Sequence, residues 1–62
     1  MNESQAIDSA YLTMIEDLFK VLSTSILMAK GDSAEEKKAE VAFKQGLDFY
    51  RKVYNRAKDL IR

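Results

Sequence analysis

The chain has no cysteine, no histidine and no proline, and only two of its 62 residues are glycine. Without thiols no disulfide can staple the fold, and the chain suits an oxidising or a reducing compartment equally. The loss of histidine removes the commonest general base, and with cysteine gone the two usual zinc ligands are both missing. Carboxylate-bridged metal bundles use a Glu-x-x-His motif that this chain cannot form. Ser23, Thr24 and Ser25 make a hydroxyl cluster, but no histidine or cysteine exists to activate it. Asp8, Glu16 and Asp17 share a helix, yet Glu16 and Asp17 are adjacent and diverge in direction. No catalytic, cofactor-binding or metal-ligating residue is predicted, and the chain is expected not to be an enzyme.

Charge of one sign is also missing, since ten basic residues balance ten acidic ones. That balance offers no global attraction to nucleic acid or to an anionic membrane. The longest uncharged stretch after residue 20, Val21 to Ala29, falls well short of the roughly 20 apolar residues a membrane span needs. The first residues, Met1-Asn2-Glu3-Ser4-Gln5, lack the positive start and apolar run of a secretory signal. The expectation is a soluble, cytoplasmic protein that does not meet a membrane.

Strand signals are absent too: there is no sustained alternation, no Asn-Gly or Asp-Gly turn and no β-branched cluster. Helix formers dominate instead. Two apolar stripes at spacings of three and four run down the first half of the chain. One contains Ile7, Tyr11, Met14, Leu18, Val21 and Met28. The other, one residue over, contains Leu12, Ile15, Phe19, Leu22, Ile26 and Ala29. Together they make a face wider than one partner helix can cover.

Lys30-Gly31-Asp32-Ser33 divides the chain. Gly31 suits the left-handed position just past a helix end. Ser33-Ala34-Glu35-Glu36 reads as a capping box, with Ser33 as the N-cap and Glu36 returning to it. At the front, Asn2 or Ser4 is the expected N-cap, with Gln5 three residues after Asn2. The prediction is one all-α domain over 1–62, with helices at about 4–30 and 34–61 and a turn at 31–33. Each helix would be roughly 40 Å long.

So short a link makes the helices an antiparallel hairpin. Folding about Gly31 and Asp32 sets Ile7 opposite Ala57, Tyr11 opposite Val53 or Tyr54, Met14 opposite Tyr50, and Val21 opposite Phe43. The second helix carries a matching stripe of Phe43, Leu47, Tyr50, Tyr54, Ala57 and Ile61. Charge agrees, because residues 1–30 sum to −2 and residues 44–62 to +4. Such pairs are worth about 0–1 kcal/mol each and serve mainly to specify register.

The second stripe has no partner within the chain. Leu12, Ile15, Phe19, Leu22 and Ile26 would stay exposed on a monomer, beside Ala42, Gly46, Phe49 and Val53 of the second helix. These nine residues are the predicted oligomer interface. A strip of that size exceeds what a soluble monomer usually exposes, and chains this short need a staple. The chain is therefore expected to pair with itself as a homodimeric four-helix bundle. Another protein is a further candidate partner.

Gly46 inside a helix costs about 1 kcal/mol relative to alanine. With Ala39 and Ala42 it makes a groove, read as close helix approach or as a socket for a side chain such as Phe19 of a neighbour, ahead of a ligand cleft. Around Tyr50 and Tyr54, the basic residues Arg51, Lys52, Arg56 and Lys58 interleave with aromatics. That pattern can bind nucleic acid, with phosphates on the cations and bases on the rings. Helical geometry turns the tyrosines inward and the cations outward, which ranks this reading second. In size and topology the chain resembles the small homodimeric helical-hairpin regulators of plasmid copy number. The resemblance implies a dimer and assigns no residue a role. The leading function is a small helical oligomerisation or protein-interaction module, a regulator or an assembly subunit. The alternative is a nucleic-acid-binding regulator.

Overall fold

The first helix is started by Asn2, whose Oδ1 accepts from the Gln5 amide at 2.8 Å while the Asn2 amide donates to Gln5 Oε1 at 3.1 Å. This reciprocal pair satisfies two backbone groups that a helix start leaves open. The computed structural model describes residues 2–62, and it contains two helices, α1 (Glu3–Ala29) and α2 (Ser33–Leu60). They run antiparallel as a helical hairpin, as the sequence predicts, with each element shifted about one residue toward the N-terminus.

The shift has a local cause at the turn. Lys30 (φ 51°) and Gly31 (φ 84°) are both left-handed, so the reversal is made by two residues. The Lys30 amide donates to the Leu27 carbonyl at 3.3 Å and the Asp32 amide to the Ala29 carbonyl at 2.9 Å. Asp32 then caps α2, its Oδ1 accepting from Ala34 and Glu35 at 2.9 and 3.3 Å. The predicted Ser33 cap is thus corrected: Ser33 is the first helical residue, and Asp32 takes its place. An ionised aspartate accepts from backbone amides at least as well as a hydroxyl, and it adds a charge that favours the helix dipole.

Leu18 packs directly on Gly46, where the two helices lie close together. A Cβ built on Gly46 would lie 2.7 Å from Leu18 Cδ2 and 3.2 Å from Cδ1. The register matches the predicted one. Phe43, Leu47, Tyr50, Tyr54, Ala57 and Ile61 all turn partly inward. The rings of Tyr11 and Tyr54 stack with centroids 4.4 Å apart.

The packed face of α1 departs from prediction in its second half. Val21 and Met28 are exposed, at 62% and 68%, whereas Leu22, Ser25, Ile26 and Ala29 are half-buried. A stripe spaced strictly four and three advances 3.5 residues per turn. On a straight helix it therefore drifts by about 20° per heptad. Over the three heptads from Ile7 to Met28 the stripe rotates off the contact line, and the neighbouring stripe takes over.

Very little of the molecule is interior. Among the described residues Ala39 alone is buried. The Cα positions span 46 by 19 by 6 Å, a slab one helix thick with two broad faces.

Candidate functional site

Helix phase, at about 100° per residue from the Leu18–Gly46 contact, assigns side chains to the two faces of the slab. One face carries Leu12, Ile15, Phe19, Leu22 and Ile26 from α1. From α2 it carries Phe43, Leu47 and Tyr50. Leu12 and Phe19 are each 61% exposed. No charged residue interrupts this patch. Asp8 and Lys58 lie at its end near the chain termini, Glu36 and Glu40 at its end near the turn, and Glu16, Lys44 and Arg51 along its outer edges.

The opposite face carries Met14, Val21 and Met28 from α1 and Ala42, Phe49 and Val53 from α2. A hollow of about 200 Å³ lies along the seam between the helices, lined from both faces by Met14 and Val53 with Tyr11, Tyr50 and Tyr54. This second face is more polar, since Asp17, Lys38, Gln45 and Arg56 share it.

The nine residues read from the sequence as one interface are thereby separated. The five from α1 lie together on the first face. Ala42, Phe49 and Val53 lie on the second, because antiparallel helices side by side turn their equal-signed phases to the same side. Gly46 belongs to neither face, since its socket is filled by Leu18 of the same chain. Close helix approach, the first of its readings from the sequence, is the one observed.

A polar cluster that the sequence reading missed closes the open end of the hairpin. Tyr54 donates its hydroxyl to Asp8 Oδ1 at 2.7 Å, and Lys58 Nζ donates to the same oxygen at 2.9 Å and to Ser4 Oγ. The ammonium also lies 5.6 Å from the Tyr54 ring centroid. The signal was present as Ser4 and Asp8 at i,i+4 on α1 facing Tyr54 and Lys58 at i,i+4 on α2. It becomes legible only once the register is known.

The Tyr54 hydroxyl, and after it Lys58, hold the Asp8 carboxyl below its ordinary range. The bond to Asp8 pushes the Tyr54 phenol up, and desolvation adds to that. The same carboxylate raises Lys58 against an opposing desolvation. Chemically these shifts run against catalysis. A serine beside a lysine is activated only when the lysine can take its proton, and Lys58 is held protonated. Asp8 is held ionised and cannot act as an acid near neutral pH. What the cluster can do is clamp two helix ends together.

The basic residues considered for nucleic acid do not converge. Lys58 faces Asp8, and Arg51 reaches Asp48 at 3.6 Å along its own helix. Lys52 and Arg56 turn toward the other side of the slab. Tyr54 is engaged by Asp8 and Tyr11, so its ring is not open to a base.

Among the described residues no group of three or more His, Cys, Asp or Glu could hold a metal ion. No helix there is long and apolar enough to cross a membrane. What stands is a small all-helical domain without catalytic features. No protein-family model, curated protein or solved structure matches this chain.

Proposed function

We propose that this hairpin is a non-enzymatic self-association module, in which two copies close over their uncharged faces to form a four-helix bundle. One observation carries the reading: among the described residues of the isolated hairpin Ala39 alone is buried, while Leu12 and Phe19, on the same face, stand 61% exposed. Two helices meeting along a single line bury too little to offset the conformational entropy of about 60 ordered residues. A second copy supplies the missing core, as chains of this size without disulfide or metal require.

The whole slab face, 46 by 19 Å in Cα extent with the uncharged middle as part of it, comes to roughly 900 Å², beside about 800 Å² per partner in a standard stable interface. The more polar second face then remains outward as the surface through which the dimer meets another protein.

Sedimentation equilibrium with circular dichroism across micromolar concentrations tests this reading. A 14 kDa-class species whose helicity and mass fall together on dilution is expected. A fully helical 7.1 kDa monomer at every concentration overturns it.

A further inference from the structure

Two copies meeting face to face about a two-fold axis have two arrangements available. With the axis along the helices, both turns lie at the same end and each α1 covers the partner's α2. With the axis across the helices, the turns lie at opposite ends, α1 covers the partner's α1, and α2 covers α2. Resting on the self-association reading above, we infer that the occupant of the uncharged face is a second copy with its turn at the same end. Charge placement along the edges of the face carries the choice.

The helices differ in sign. α1 carries Glu3, Asp8, Glu16 and Asp17 against Lys20 alone, whereas the basic residues of α2 outnumber its acidic ones. In the same-end arrangement every level of the hairpin meets its own level. Glu16, on the outer edge of α1, then comes beside the partner's Arg51. Asp8 comes beside the partner's Lys58. The uncharged middle meets an uncharged middle. Arg51 is free to make this exchange, because its link to Asp48 is long and both side chains are more than half exposed.

The opposite-end arrangement inverts the levels. Glu16 then lies beside its own copy, Lys44 lies beside the partner's Arg51, and the Asp8 carboxylate is laid against the partner's Ile26, while Glu40 comes near the partner's Lys58. Like charges in direct apposition oppose docking, whereas unlike charges set its register. Both arrangements set the uncharged middle against itself, so the charges along the outer edges decide between them.

The lack of native cysteine makes the test direct. A spin label on Ser33→Cys, an exposed position beside the turn that does not carry the cap, reads the distance between turns. Helices packed about 8–10 Å apart put same-end labels within about 30 Å. A hairpin 46 Å long puts opposite-end labels beyond about 40 Å. The short distance is expected, and the long one overturns the arrangement while leaving the dimer standing.

Glu16→Gln gives a second readout by analytical ultracentrifugation. It weakens the dimer about two- to tenfold if Glu16 faces Arg51, one pair being lost on each side of the axis. It tightens the dimer if Glu16 faces Glu16, and that sign overturns the inference. A labelled protein that sediments only as a monomer overturns both this arrangement and the self-association on which it rests.

Discussion

Tyr54 and Asp8 join the two ends of the chain, the phenol donating to the carboxylate at 2.7 Å across 46 residues of sequence. The bond stands beside the Tyr11–Tyr54 stack, so one residue serves α1 through both its ring and its hydroxyl. Tyr54→Phe keeps the stack and removes the bond. Tyr54→Ala removes both. Urea melts should show a lower midpoint for Tyr54→Phe and a distinctly lower one for Tyr54→Ala, with m unchanged in the former. Equal midpoints for the two variants would mean that the ring stack adds nothing.

The same cluster predicts a pH profile. Asp8 titrates below its ordinary value of 3.8 in the folded chain. Its contribution is therefore whole above 3.8 and is lost as pH falls through the lowered folded value. Tyr54 and Lys58 titrate above their ordinary 10.0 and 10.5. Their contributions are whole below those values and are lost as pH rises through the raised ones. Thermal melts should show a plateau between these limits with a shoulder falling at each end. Asp8→Asn should lower the plateau and flatten the acid shoulder.

At the turn, Asp32→Ala should cost about 1 kcal/mol through loss of the cap, and Ser33→Ala should lie near zero. Gly31→Val should cost about 1–2 kcal/mol, since a β-branched residue is forced to positive φ. Lys30→Gly should stabilise by up to about 1 kcal/mol, because Lys30 already occupies a conformation glycine adopts freely. Chemical denaturation of the four variants separates this two-residue reversal from one made by Gly31 alone.

Gly46→Ala sets two effects against each other. Alanine gains about 1 kcal/mol of helix propensity, but its Cβ would stand 2.7 Å from Leu18 Cδ2. Leu18 is half-buried and can turn aside, so the net change should stay within about 1 kcal/mol. Gly46→Val adds two further carbons against Leu18 and should cost about 1–3 kcal/mol through overpacking. Combining Gly46→Val with Leu18→Ala should recover part of that loss, a coupling that denaturant melts can resolve.

The two faces make separable predictions for assembly. Phe19→Asp, on the uncharged face, should abolish the dimer. Phe49→Asp, on the opposite face, should leave the sedimentation coefficient unchanged. The reverse result would move the interface to the more polar face.

The helices, their antiparallel pairing and the register were legible from the residues alone. Asn2–Gln5 and Gly31 mark boundaries through local backbone chemistry, and the stripe from Phe43 to Ile61 follows the period of its own helix. These features depend on neighbours three or four positions apart, which a sequence displays directly. What the tertiary structure decided was direction in space. Only after Leu18 settles on Gly46 does each remaining side chain acquire a side of the slab. That contact parts Leu12 and Phe19 from Phe49 and Val53, turns Val21 outward and Leu22 inward, and brings Ser4 and Asp8 against Tyr54 and Lys58. Periodicity along one helix carries no record of its phase against another, because that phase is set by which side chains interlock when the two helices touch.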